Sequence, residues 1–140
     1  VEAVRARGLR TAVATASQQE DLDVMLEAAG LPLRSMVDAV VSAAQVKRSK
    51  PAPDAVHAAL DALGLPPERC LLLGDTAWDV ETGRRAGVPV LGVATGAHDM
   101  RRLRGAGAVA AWRDLEALRA DLDAALDACF GEGARATPAR

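Results

Sequence analysis

Residues 70–79 read CLLLGDTAWD, an apolar run that stops at a glycine and is followed by two aspartates four residues apart. A continuous apolar run of this kind fits a strand covered on both faces, as in a parallel sheet. A helix over 77–86 follows, with Thr76 as N-cap and Asp79 three residues on, a capping-box-like pair. Acids also suit the positive end of a helix. The two carboxylates have a second reading. Placed together beyond a strand end they repel each other unless a cation lies between them. Mg²⁺ is commonly held by one or two carboxylates, with a substrate phosphate completing its shell. On this stretch alone both readings stay open.

Working outward, short β-type runs alternate with longer helical patterns. LRTAVAT (9–15) is strand-like, and QQEDLDVMLEAAG (18–30) is amphipathic, with Leu22, Met25, Leu26 and Ala29 on one face. VDAVVSA (37–43) is a second strand, followed by the proline-punctuated loop QVKRSKPAP (45–53). PDAVHAALDALG (53–64) is a helix with Pro in its first turn and Gly at its end. Beyond the helix at 77–86 come the strand VPVLGVAT (88–95), a helix near 99–105, a short AVAAW strand and a final helix over 113–128.

This alternation predicts an α/β fold with a doubly wound, Rossmann-like parallel sheet. Ligands of such sheets bind outside the carboxyl ends of the strands. The loops after Thr15, Ala43, Gly74 and Thr95 are therefore expected on one edge. Residues 1–128 are expected to form one α/β core and 129–140 a frayed tail, because GEGARATPAR has no apolar periodicity.

Composition narrows the function. The 140 residues are 50% hydrophobic and carry a formal charge of −2, against a nucleic-acid binder that neutralises phosphates. Aromatics at 2% are too few for base stacking. No apolar run approaches the roughly 20 residues of a membrane span. VEAVRARG at the start has no apolar signal region and reads as a cut into a helix. Cys70 and Cys129 have no CxxC spacing, as expected of a reduced, cytoplasmic protein.

Two further stretches fall on the ligand edge. Thr15 and Ala16 follow a strand end, where a hydroxyl and backbone N–H groups can grip a phosphate oxygen beside the positive end of the next helix. The plainer reading is that Thr15 or Ser17 caps that helix. Lys50, in SKPAPD, would ordinarily be solvated surface. It stands just ahead of a helix start, where the dipole disfavours a cation, and two prolines stiffen its segment. A bound anion would make that placement favourable. His98, in TGAHDM, follows a strand end and could touch substrate, whereas His57 reads as a helix face. Trp78 reads as packing and Trp112 as the end of a strand. Gly92–Gly96 lacks the GxGxxG spacing of a dinucleotide site.

The order ATAS, SKPAPD, LLLGDTAWD, with RRAGVPVLGVATG behind it, resembles the haloacid dehalogenase (HAD) superfamily, and within it the phosphoglycolate-phosphatase-like subgroup. The resemblance runs from about Leu9 to Leu118 and implies a hydrolase of small phosphate monoesters. It makes Thr15 and the Ala16 amide phosphate-binding groups and Lys50 the lysine that steadies the nucleophile and the phosphoryl group. Asp75 and Asp79 become the Mg²⁺ acids, with Asp75 favoured as direct ligand. The GD start favours phosphatase over dehalogenase chemistry.

The family's DxDGT motif, with the nucleophilic and acid–base aspartates, is absent, as is the helical cap segment. Asp21-Leu22-Asp23 and Asp121-Leu122-Asp123 are the two D-x-D strings, and both lie in helical patterns. By resemblance the missing strand is the sheet's centre, and its first Asp forms an aspartyl-phosphate. The chain alone is accordingly expected to be inactive. The alternative is a non-catalytic remnant that binds phosphate or a partner chain, self-associating through the exposed sheet centre.

Overall fold

Among residues 1–131, the part of the chain that the computed structural model describes, five short parallel strands alternate with helices. The strands fall into two sheets, one of two strands and one of three. The chain divides correspondingly into two units, Val1–Leu65 and a second beginning at Pro66.

The first unit runs α1 (Glu2–Arg5), β1 (Ala12–Ala14), α2 (Gln19–Ala28), α3 (Leu33–Met36), β2 (Ala39–Val41) and α4 (Asp54–Leu63). β1 and β2 pair in parallel, Ala12 opposite Ala39 and Ala14 opposite Val41. Parallel neighbours cannot be joined by a tight turn, so α2 and α3 form the crossover. α4 lies against both strands. Its Val56, Leu60 and Leu63 recur at helical spacing and are buried. Each such side chain contributes about 1.5–3 kcal/mol. The amphipathic reading of α2 holds only in part: Leu22 is buried, but Met25 is 61% exposed.

The second unit runs β3 (Leu72–Gly74), α5 (Ala77–Ala86), β4 (Val90–Val93), α6 (Met100–Gly105), β5 (Ala110–Trp112), α7 (Leu115–Ala120) and α8 (Leu122–Phe130). Its sheet order is β3-β4-β5, all parallel. Val80 of α5 and Leu103 of α6 pack with Val90, Ala108 and Ala111 in one cluster. Leu118 of α7 and Ala125 of α8 pack with Leu91 and Val93 in another. Neighbouring residues of β4 thus feed opposite faces, as the pleat requires, and helices cover both. This is the doubly wound arrangement predicted above.

Two differences have physical causes. The run Cys70–Gly74, expected to be covered on both faces, leaves Leu73 42% exposed. β3 is an edge strand whose only partner among the described residues is β4. The helix expected over 113–128 breaks at Asp121, where φ is −113° and ψ 22°. The Asp121 carboxylate accepts the Trp112 indole N–H at 3.1 Å, a side-chain bond that competes with helix continuation. Trp78, expected to pack, is 60% exposed. Of the tail expected over 129–140, Cys129 and Phe130 belong to α8 and residues 132–140 lie outside the described residues.

Candidate functional site

In the second unit the parallel sheet delivers the loops after β3, β4 and β5 to one edge. The loop after β3 is closed by Asp79. Thr76 is the N-cap of α5, and its Oγ1 accepts the Asp79 N–H at 3.2 Å. In return, one Asp79 carboxylate oxygen, Oδ2, accepts three hydrogen bonds. They come from the Thr76 hydroxyl at 2.7 Å, the Thr76 N–H at 3.0 Å and the Asp75 N–H at 3.2 Å. Asp79 is 4% exposed, and these donors replace the water that burial removes. The capping reading of Asp79 is therefore realised in full.

Gly74 is what lets the carboxylate reach back. A Cβ at that position would stand 2.3 Å from the Asp79 Cβ, so no larger residue fits where β3 ends. The glycine that interrupts the apolar run thus marks a close approach.

Asp75 is different. It is half-buried, and among the described residues its carboxylate has no hydrogen-bond or ion-pair partner. Its backbone is fixed by the bond to Asp79, and its carboxylate lies against Gly96 of the β4–α6 loop. A Cβ on Gly96 would meet Asp75 Oδ2 at 2.3 Å. From the same loop His98 crosses to the first turn of α5, where its Nδ1 accepts the Ala77 N–H at 2.8 Å. His98 therefore touches the acidic loop's own helix, a contact that its place in the sequence did not reveal.

In the first unit Thr15 continues the ladder, donating its N–H to the Val41 carbonyl at 2.9 Å. Its Oγ1 accepts the Ser17 N–H at 3.1 Å, a tight turn of the Ser/Thr type. The N-cap of α2 is Gln18, with no side-chain capping bond, so the expectation that Thr15 or Ser17 caps that helix is not met. Thr15 spends its oxygen as an acceptor and keeps a hydroxyl proton to donate. Ala16 is exposed.

Lys50 is exposed on the loop before α4. That loop is closed by a pair that the sequence reading passed over. Asp54, in the first turn of α4, accepts from the Arg48 N–H at 3.2 Å and from the Arg48 guanidinium at 2.8 Å. The Arg48 side chain holds the Asp54 carboxyl below the usual carboxylate range. An acid opening a helix six residues after an arginine was the signal available.

Neither D-x-D string is placed like a nucleophile. Asp21 and Asp23 are exposed on α2, where Asp23 pairs with Arg34 at 2.7 Å. Asp121 and Asp123 are exposed at the start of α8. His57 is exposed on α4, the helix-face placement expected for it. Among the described residues no cluster of three or more His, Cys, Asp or Glu that could hold a metal ion is assembled. Cys70 and Cys129 are free thiols, and burial pushes Cys129 up to about 11. No helix among the described residues is long and apolar enough to cross a membrane.

In an open parallel α/β sheet, ligands bind outside the carboxyl ends of the strands, the edge on which the acidic loop after β3 lies. Residues 1–87 match the haloacid dehalogenase-like hydrolases. The chain belongs to that family. A phosphoglycolate phosphatase from Rhodospirillum rubrum is 34% identical over 116 residues, which are 83% of this chain and 47% of that protein. A hydrolase from Pseudomonas syringae superposes with a TM-score of 0.78 at 29% identity, over 88% of this chain and 58% of the other. A HAD family hydrolase from Deinococcus radiodurans, with bound phosphate and sodium, superposes with a TM-score of 0.76 at 29% identity, over 99% and 58%. The chain spans about half the length of these relatives.

Proposed function

We propose that this chain is the phosphate- and metal-binding part of a phosphatase that acts on small phosphate monoesters. The observation that carries this reading is the unequal pair after β3. Asp79 is consumed in shaping the loop, while Asp75 is held half-buried with an unpartnered carboxylate at a strand's carboxyl end. A rigid anionic oxygen of that kind, with a second carboxylate beside it, suits a hard divalent cation such as Mg²⁺. Asp75 would hold the ion, with Asp79 supporting it through the loop. When bound, Mg²⁺ neutralises charge on a phosphoryl group.

The other assignments follow the family. Thr15 donates its hydroxyl proton and Ala16 its amide to a phosphate oxygen. Lys50 supplies a positive charge to the same group. Residues 1–128 correspond to a HAD-like core, in a cytoplasmic enzyme. The carboxylate that attacks phosphorus in this family has no counterpart in the chain, so residues 1–140 alone are inactive. The decisive assay compares the chain with and without an upstream DxDGT-bearing segment on p-nitrophenyl phosphate. Metal-dependent turnover should require that segment, and robust turnover by residues 1–140 alone would overturn the assignment.

A second reading, a remnant that binds phosphate or pairs with another chain, is favoured by one observation. Leu73 is exposed on β3, an edge strand. Open apolar edges invite strand addition. Sedimentation tests this: concentration-dependent dimers support it, and a monomer at all concentrations sinks it.

A further inference from the structure

The β4–α6 loop carries no residue to which the family reading gives a role, yet it makes two contacts with the acidic loop from positions two residues apart. Gly96 lies against the Asp75 carboxylate so closely that a single methyl group there would clash at 2.3 Å. His98 accepts the Ala77 N–H at 2.8 Å. Ala77 is the first residue of α5 and stands two positions after Asp75. Its amide is one of the donors that a helix start leaves without an intrahelical partner. The Thr76–Asp79 capping box satisfies the Asp79 and Thr76 amides but not that of Ala77. An imidazole from another loop supplies the missing acceptor.

The bond also fixes the ring. A nitrogen that accepts from an amide carries no proton, so the neutral imidazole of His98 bears its hydrogen on Nε2. The loop between these contacts is short and is itself anchored at its far end. Asp99 Oδ1 accepts the Arg102 N–H at 2.7 Å and caps α6. Asp75 is thus bounded on one side by Asp79, through its backbone, and on the other by Gly96.

We propose that His98 is a positioning residue for the metal-binding carboxylate. By tying the β4–α6 loop to the first turn of α5, it keeps Gly96 against Asp75 and limits the rotamers open to that side chain. The proposal rests on the reading of Asp75 as the Mg²⁺ ligand and extends it to a residue outside the family motifs. Side chains that orient a ligating carboxylate act on affinity without touching the ion.

The test uses the whole chain, magnesium chloride alone as probe, and two readouts: calorimetric affinity, and amide hydrogen exchange at Asp75, Ala77 and Gly96. His98→Ala should weaken Mg²⁺ binding about tenfold and speed exchange at Ala77 and Gly96. His98→Asn, whose side-chain oxygen can take the place of Nδ1, should restore affinity to within about threefold of wild type. Asp75→Asn should abolish binding in every background. Unchanged affinity in His98→Ala, or no rescue by His98→Asn, overturns the proposal. If the unmutated chain does not bind magnesium, the metal reading of Asp75 fails on its own. Exchange at Gly96 then decides the clamp, with faster exchange in His98→Ala supporting it and no change overturning it. The imidazole nitrogen spectrum of the unmutated chain gives a check that needs no variant, since a protonated Nδ1 would also overturn it.

Discussion

β3 and β4 are adjacent, parallel and built from nearly the same residues, yet they meet different fates. β4 is buried at all four positions, with Leu91 at 2% exposure, whereas Leu73 of β3 is 42% exposed. The difference lies in their neighbours. β4 has a strand on each side and a helix layer on each face, while β3, among the described residues, has a strand partner on one side only. An apolar run states a demand for cover, and only the surrounding elements determine whether it is met.

The sharpest way to break this comparison is to truncate both leucines. Leu91→Ala should lower unfolding free energy by about 2–5 kcal/mol, measured by urea titration, because it removes side-chain volume from a packed cluster. Gly74→Ala comes next. The clash with Asp79 should cost about 1–3 kcal/mol and also loosen the Asp75 amide, seen as faster hydrogen exchange. Leu73→Ala should change stability by only about 0.5 kcal/mol, as an exposed position away from special features does. A large loss there would mean that β3 is covered in solution by something beyond the described residues.

The smallest effect concerns α5, the helix that connects the two strands. Glu81 is bonded to Arg84 and Arg85, which lower its carboxyl from 4.5 to about 2. Because the folded value is depressed, the stabilisation is fully present above 4.5 and disappears as pH falls toward 2. Melting temperature in Glu81→Gln should therefore fall less steeply between pH 5 and pH 2 than in the unmutated chain. The pairs are exposed to solvent, so the difference should also shrink in high salt.

Much of the site was legible as residue types in order. Thr76 and Asp79 announced a capped helix start, and the structure forms that box bond for bond. The alternation of strand and helix patterns yielded the parallel α/β fold, since its elements are set by local periodicity. Other features were not legible, because they arise from contacts between segments distant in sequence. The bond from His98 to Ala77 joins residues 21 apart. The break of the last helix at Asp121 depends on the reach of Trp112. The exposure of Met25 shows that an apolar face on α2 does not guarantee a partner for it.

By itself the sequence determined the elements, their parallel arrangement and the acids at the end of β3, because backbone propensity and short-range capping are properties of a few adjacent residues. That Asp79 is spent follows from the same local capping, whereas what packs against the open Asp75 carboxylate was decided by tertiary structure. Asp75 and Asp79 are the same residue type, separated only by three hydrogen bonds to one oxygen and a glycine from the next loop. Hydrogen bonding and close packing act across space, and there the two aspartates cease to be equivalent.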